Sequence, residues 1–91
     1  MNKITAIDVL KEAQELKERK SKDYQGSKFT EEDYFPFGHL SYQHMLITKM
    51  LRIQSVSEQQ DTNFESLYDS LIDMVNYAAM YGAWVKNNEH R

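Results

Sequence analysis

Three groups of charged and polar side chains fall on or beside helical faces that periodicity marks for burial. They are Lys20 with Asp23 and Tyr24, Lys49 with Arg52, and Asp69 and Asp73 with Asn76 and Tyr77. A charge removed from water costs on the order of several kcal/mol unless a partner offsets it. Basic and acidic groups converging inside so short a chain predict a site for something phosphorylated. Lys49 supplies a point charge and Arg52 a two-pronged donor, the pair of donors that suits phosphate, with Lys20 as a third cation. The competing reading of Lys49 is a packed stem with its amine in water.

Glu65, Asp69 and Asp73 recur at every fourth residue, so their carboxylates stack along one helix face. Like charges at that spacing repel by roughly a few tenths of a kcal/mol per pair. A hard cation such as Mg²⁺ reverses the sign, which makes Asp69 and Asp73 candidate metal ligands. Ion pairing of Asp73 with Lys49 or Lys20, with no metal, is the alternative. The helix dipole accounts for an acid at Glu65 and less well at Asp69, but not for Asp73, which lies turns further in. His39, His44 and His90 lack ligand spacing. There is no nucleophile with an attached base and no glycine-rich phosphate loop.

The elements that must position these groups are helices. Thr5-Ala-Ile-Asp8 resembles a capping box, with Asp in place of the usual Glu. The apolar stripe Ala6, Val9, Leu10, Ala13, Leu16 then continues at helical spacing into Lys20, Asp23 and Tyr24. Ser41 is the expected cap of a second helix whose inner face carries Tyr42, Met45, Leu46, Met50 and Ile53, with Lys49 in its middle. Thr62-Asn-Phe-Glu65 is a full capping-box pattern that opens a long third helix. Its core stripe reads Phe64, Leu67, Tyr68, Leu71, Met74, Val75, Ala78, Gly82, Val85. Its other face ends in Tyr77, Met80 and Trp84, which predicts a second cover, a further copy of the chain.

The fold class expected is all-α: one domain over 1–91, with helices over about 6–24, 41–56 and 63–86. Between the first two lies an aromatic-rich loop over about 25–40. Its Phe29, Tyr34, Phe35 and Phe37 either cap a thin core or stack on a ligand base.

The chain has 91 residues, one proline, three glycines and no cysteine, so neither a disulfide nor a thiolate metal site is available. A net charge of −3 argues against broad nucleic-acid binding, which needs a basic surface, but not against one small anion in a local basic pocket. No apolar run approaches the length of a membrane span, and the start lacks a signal-peptide core, so a cytoplasmic location is expected.

Lys20-Ser-Lys-Asp-Tyr24, Ile47-Thr-Lys-Met-Leu-Arg-Ile53 and Asp73-Met-Val-Asn-Tyr-Ala78 together resemble the three signatures of the first nucleotide-modification-associated domain family, small proteins common in tailed phages and prophages. One departure is Gln25, which intervenes before Gly26 where the family has glycine directly after Asp-Tyr. The resemblance implies a phage-type protein linked to nucleotide metabolism. It implicates Lys20, Asp23, Tyr24, Lys49, Arg52, Asp73, Asn76 and Tyr77. A more distant similarity is to MazG-like all-α nucleoside triphosphate pyrophosphohydrolases, which gather carboxylates around Mg²⁺ and work as oligomers. Their Glu-x-x-Glu pattern matches only Glu12, Glu15 and Glu18 on an exposed face, and Glu65 to Asp69 is one residue too long for Glu-x-x-Asp. The functional expectation is a nucleotide-binding protein, catalytic with Mg²⁺ or non-catalytic without it. The non-catalytic form would sequester a host-defence nucleotide signal or hold a host protein. Homo-oligomerisation through Tyr77, Met80 and Trp84 accompanies either form.

Overall fold

Thr5 starts the first helix through reciprocal bonds. Its amide and hydroxyl donate to Asp8 Oδ2 at 2.9 and 3.0 Å, and the Asp8 amide donates back to the hydroxyl at 3.2 Å. A computed structural model describes residues 3–26, 28–59 and 64–89. Four helices occupy them: α1 Ala6–Gln25, α2 Glu31–Tyr34, α3 His39–Ser57 and α4 Phe64–Glu89. The fold is all-α with a long C-terminal helix. Thr62, which would cap α4, and His90 lie outside the described residues. No described helix is long and apolar enough to cross a membrane.

The expected loop contains the one-turn helix α2. A second capping box builds it: the Thr30 amide donates to Asp33 Oδ2 at 2.8 Å, and the Asp33 amide donates to the Thr30 carbonyl at 3.1 Å. One turn does not persist alone. Tyr42 tethers this one by donating from its hydroxyl to Glu31 Oε2 at 2.7 Å. The start of α3 also differs from expectation, because Gly38 and not Ser41 is its cap. Ser41 Oγ instead accepts the Phe37 amide at 2.8 Å. Gly38 adopts φ +56°, and a Cβ there would stand 2.9 Å from the Trp84 ring. Both facts demand glycine.

Partner order gives the topology. His39 meets Tyr81 while Lys49 meets Asp73, so α3 runs antiparallel to α4. Glu12 meets Tyr68 while Lys20 meets Asp73, so α1 runs with α4. Among the described residues both pack on α4 and neither packs on the other. The gap between them becomes the site.

The α3–α4 seam is aromatic. Phe35, Tyr42 and Tyr81 form a column, with successive centroids 4.6 and 5.4 Å apart and planes within 5° and 3°. Trp84 leans on Tyr42 at 5.9 Å. Further along, Val56 is buried, and so is Ser70, whose hydroxyl donates to the Ser66 carbonyl at 2.9 Å. On the α1 side the buried residues are Ala13 and Ile72.

The orientation of α4 corrects the sequence reading. Phe64 is 82% exposed and Leu71 42%, and Ala78 and Gly82 are also exposed, although all four lie on the stripe read as core. Tyr77, Met80 and Trp84, read as facing a partner chain, are half-buried against the chain's own α2 and α3. The reason is complementarity. The inner face of α3 presents a flat phenol at Tyr42, which rings cover better than aliphatic branches do.

Candidate functional site

On α1, the stripe that packs Ala13 and Leu16 toward α4 continues into Lys17 and Lys20. On α3, Lys49 lies seven residues beyond Tyr42 and so shares its inward face. On α4, Asp73 faces the gap that α1 and α3 leave between them. These three placements bring two ammonium groups to one carboxylate. Lys49 Nζ stands 2.9 Å from Asp73 Oδ2, and Lys20 Nζ stands 4.0 Å from Oδ1. The Lys49 side chain is only 19% exposed. Its amine lies 6.0 Å from the Tyr77 ring centroid, within cation–π range.

Beside this triad opens a cavity of about 250 Å³. Lys17 and Lys20 form one wall, Tyr34 and Phe35 from α2 and its exit form the roof, and Asp73, Asn76, Tyr77 and Met80 form the floor, with Met45 at the α3 side. Lys17 pairs loosely with Glu31 at 3.8 Å, and Glu31 also accepts from Tyr42. Burial, and then the bond to Glu31, hold the Tyr42 hydroxyl well above the usual phenol range, so it donates at any neutral pH. Three lysines against two carboxylates leave one positive charge in excess among these described residues. A cationic rim over aromatic walls suits an anion that carries a flat ring.

The predicted residues separate into groups. Lys20, Lys49, Asp73, Asn76 and Tyr77 converge. Asp23 and Tyr24 lie in the last turn of α1, and their side chains are outside the described part of the structure. Arg52 stands apart, in a shallow cleft with Leu51, Ser55, Val56 and Ser66. It follows Lys49 by almost one turn and faces a different part of α4. Asp69 is exposed and does not line the cavity. Asp73 is engaged by the two lysines, and no group of three or more potential metal-ligating side chains gathers among the described residues.

Lys17, Glu31 and Met45 belong to the site without having been singled out for it. The signal for Lys17 was present, since it precedes Lys20 by three residues on one stripe. Glu31 needed the tertiary bond to Tyr42, which no local pattern announces. Of the loop rings, Phe35 stacks on Tyr42 as a core cap and also roofs the cavity, and Tyr34 lines the cavity.

A second polar cluster lies at the other end of α3. His39 Nδ1 is 2.6 Å from the Tyr81 hydroxyl, His39 Nε2 bonds Glu89, and Gln43 donates to Tyr81 at 3.1 Å. It joins the start of α3 to the end of α4 on the surface. No family model matches the chain, and no curated protein and no solved structure matches it either.

Proposed function

We propose that this protein binds a nucleotide, or another small phosphorylated molecule, in the cavity between α1, α2 and α4. One observation carries the reading: Lys20 and Lys49 share the single carboxylate of Asp73 at the edge of an aromatic-walled cavity. One carboxylate cannot neutralise two ammonium groups, and the excess charge favours an anion. Phosphate oxygens would take the lysines, Asn76 would offer its amide to a polar ligand edge, and Tyr34 and Tyr77 would flank a base. A cavity of about 250 Å³ is small among ligand sites, so the ligand is of mononucleotide size or leaves its remainder in solvent.

Binding without turnover is the form we favour. A carboxylate whose two oxygens each face an ammonium group is poorly available as a metal ligand or to an attacking water. Such a protein would sequester its nucleotide, as a phage product that withdraws a host-defence signal would do.

The test is retention. The pure protein is incubated with a broad nucleotide extract and Mg²⁺, filtered, and both fractions are analysed by mass spectrometry. An intact nucleotide held with the protein and released on denaturation is the expected result. Lys20→Gln and Lys49→Gln should each weaken that retention about tenfold, as loss of a charge-assisted bond does. Diphosphate and monophosphates in the filtrate would replace the binding form with a pyrophosphohydrolase. Folded protein that retains and converts nothing would end the nucleotide reading.

A further inference from the structure

We infer that two copies of this chain pair through the side of α3 and α4 that faces away from Asp73. The site above lies on one side of α4. At about 100° per residue, Gly82 stands diametrically opposite Asp73. Around Gly82 runs a stripe that no other described helix covers: Phe64, Leu71, Ala78 and Gly82 are all exposed. The stripe spans most of a 26-residue helix.

The edges of this face differ. The Tyr68 hydroxyl donates to Glu12 at 2.6 Å, which sets the charged face of α1 along one edge as a polar rim. On the other edge the Gln43 amide reaches Tyr81, which marks the side of α3 that adjoins the stripe. Met50, seven residues beyond Gln43, shares that side and is exposed, and Ile47 and Leu51 continue the apolar surface around α3. The uncovered surface is therefore two helices wide.

Three independent observations identify a second copy as its cover. The chain exposes 7559 Å², whereas a compact monomer of this mass exposes about 5,500 Å². The excess is more than twice the roughly 800 Å² that each partner contributes to a standard interface. Secondly, among the described residues the buried apolar ones are Ala13, Tyr42, Val56 and Ile72, too few to hold a domain of this size by themselves. The missing burial must come from something present wherever the chain is present, and another copy meets that condition. Thirdly, a Cβ at Gly82 would meet nothing within 4 Å. Glycine inside a helix costs about 1 kcal/mol relative to alanine, and no contact among the described residues requires it there. A neighbouring helix that approaches α4 closely at this point does. Pairing of the same face on both copies is the arrangement that closes by two-fold symmetry. It joins two α3–α4 hairpins into a four-helix layer and leaves both cavities facing outward.

Sedimentation equilibrium on the full chain tests this. The expected mass is twice 10.8 kDa, and the melting temperature should rise with protein concentration. Leu71→Glu, which places a charge on the stripe, should halve the mass or unfold the protein. Met50→Glu, on the α3 edge, should lower the association constant with the fold retained. Gly82→Ala provides the second discriminator. If the face were free, this variant would be stabilised as any exposed helix is; under a close-packed neighbour it loses affinity between copies. A mass of 10.8 kDa with a melting temperature independent of concentration would overturn the inference, as would an assembly that Leu71→Glu and Met50→Glu both leave intact.

Discussion

The two seams of α4 are built differently. Against α3 it makes a mainly aromatic contact: a column of three parallel rings, Trp84 closed over Gly38, and buried Val56 and Ser70, with the Lys49–Asp73 ion pair and the His39 and Gln43 bonds to Tyr81 beside them. Against α1 it has buried Ala13 and Ile72, one surface bond from Tyr68 to Glu12, and one long ion pair from Lys20 to Asp73. Apolar area and ring packing dominate stability, whereas exposed ion pairs contribute on the order of 1 kcal/mol or less. The α3–α4 hairpin is thus the frame and α1 is its lighter attachment. Because the cavity takes walls from both, a ligand held by Lys20 and Lys49 would fasten the lighter part to the frame.

The contrast can be broken most strongly at Tyr42. Tyr42→Ala removes the middle ring of the column and the tether of α2, and should cost about 3–5 kcal/mol in denaturant unfolding. Ala13→Leu acts at the other seam, where α1 can shift outward, and should cost about 1–3 kcal/mol. Hydrogen exchange should then accelerate in α1 while α3 and α4 keep their protection. Equal loss of protection in all three helices would show the seams to be of one strength.

The smallest effect comes from pH, and it separates the regions by sign. Backbone and side-chain bonds from Thr5 hold Asp8 below its ordinary 3.8. Its support of α1 is therefore present above that value and is lost as pH falls through the lowered one. The Tyr42 hydroxyl is raised above its ordinary 10.0, so its support of the α3–α4 frame is complete below 10.0 and fades as pH climbs through the raised value. Circular dichroism should show α1 loosening first in acid, with Asp8→Asn abolishing that step. Tyr42→Phe should shift the alkaline one.

Much of this architecture could be read from the chain, and the misreadings have physical causes. Thr5 to Asp8 marked the start of α1 because a capping box is a local chemical unit. The same unit at Thr30 to Asp33 went unread, since a helix of one turn has no periodicity to confirm it. Asp73, Lys49 and Lys20 were legible because a charge on an apolar face is conspicuous wherever the fold places it. Arg52 looked equally conspicuous, but its angle around α3 aims it elsewhere. The hardest case was α4. Periodicity detects apolar faces but does not say which of two is covered by the chain itself, and here the aromatic face won against Phe64, Leu71 and Ala78.

Asp73 is, in effect, a resident counter-ion. Tethered to the same fold as Lys20 and Lys49, it competes with any incoming anion at an effective concentration of millimolar or more. A singly charged carboxylate in solution gains nothing by exchanging with it. A phosphate monoester carries about −1.5 to −2 near neutral pH and can engage both lysines where Asp73 serves each with one oxygen. Below the second phosphate pKa, near 6, that advantage disappears. On the proposed reading, this competition would set a charge threshold at the cavity, favouring doubly ionised phosphate over singly charged carboxylates.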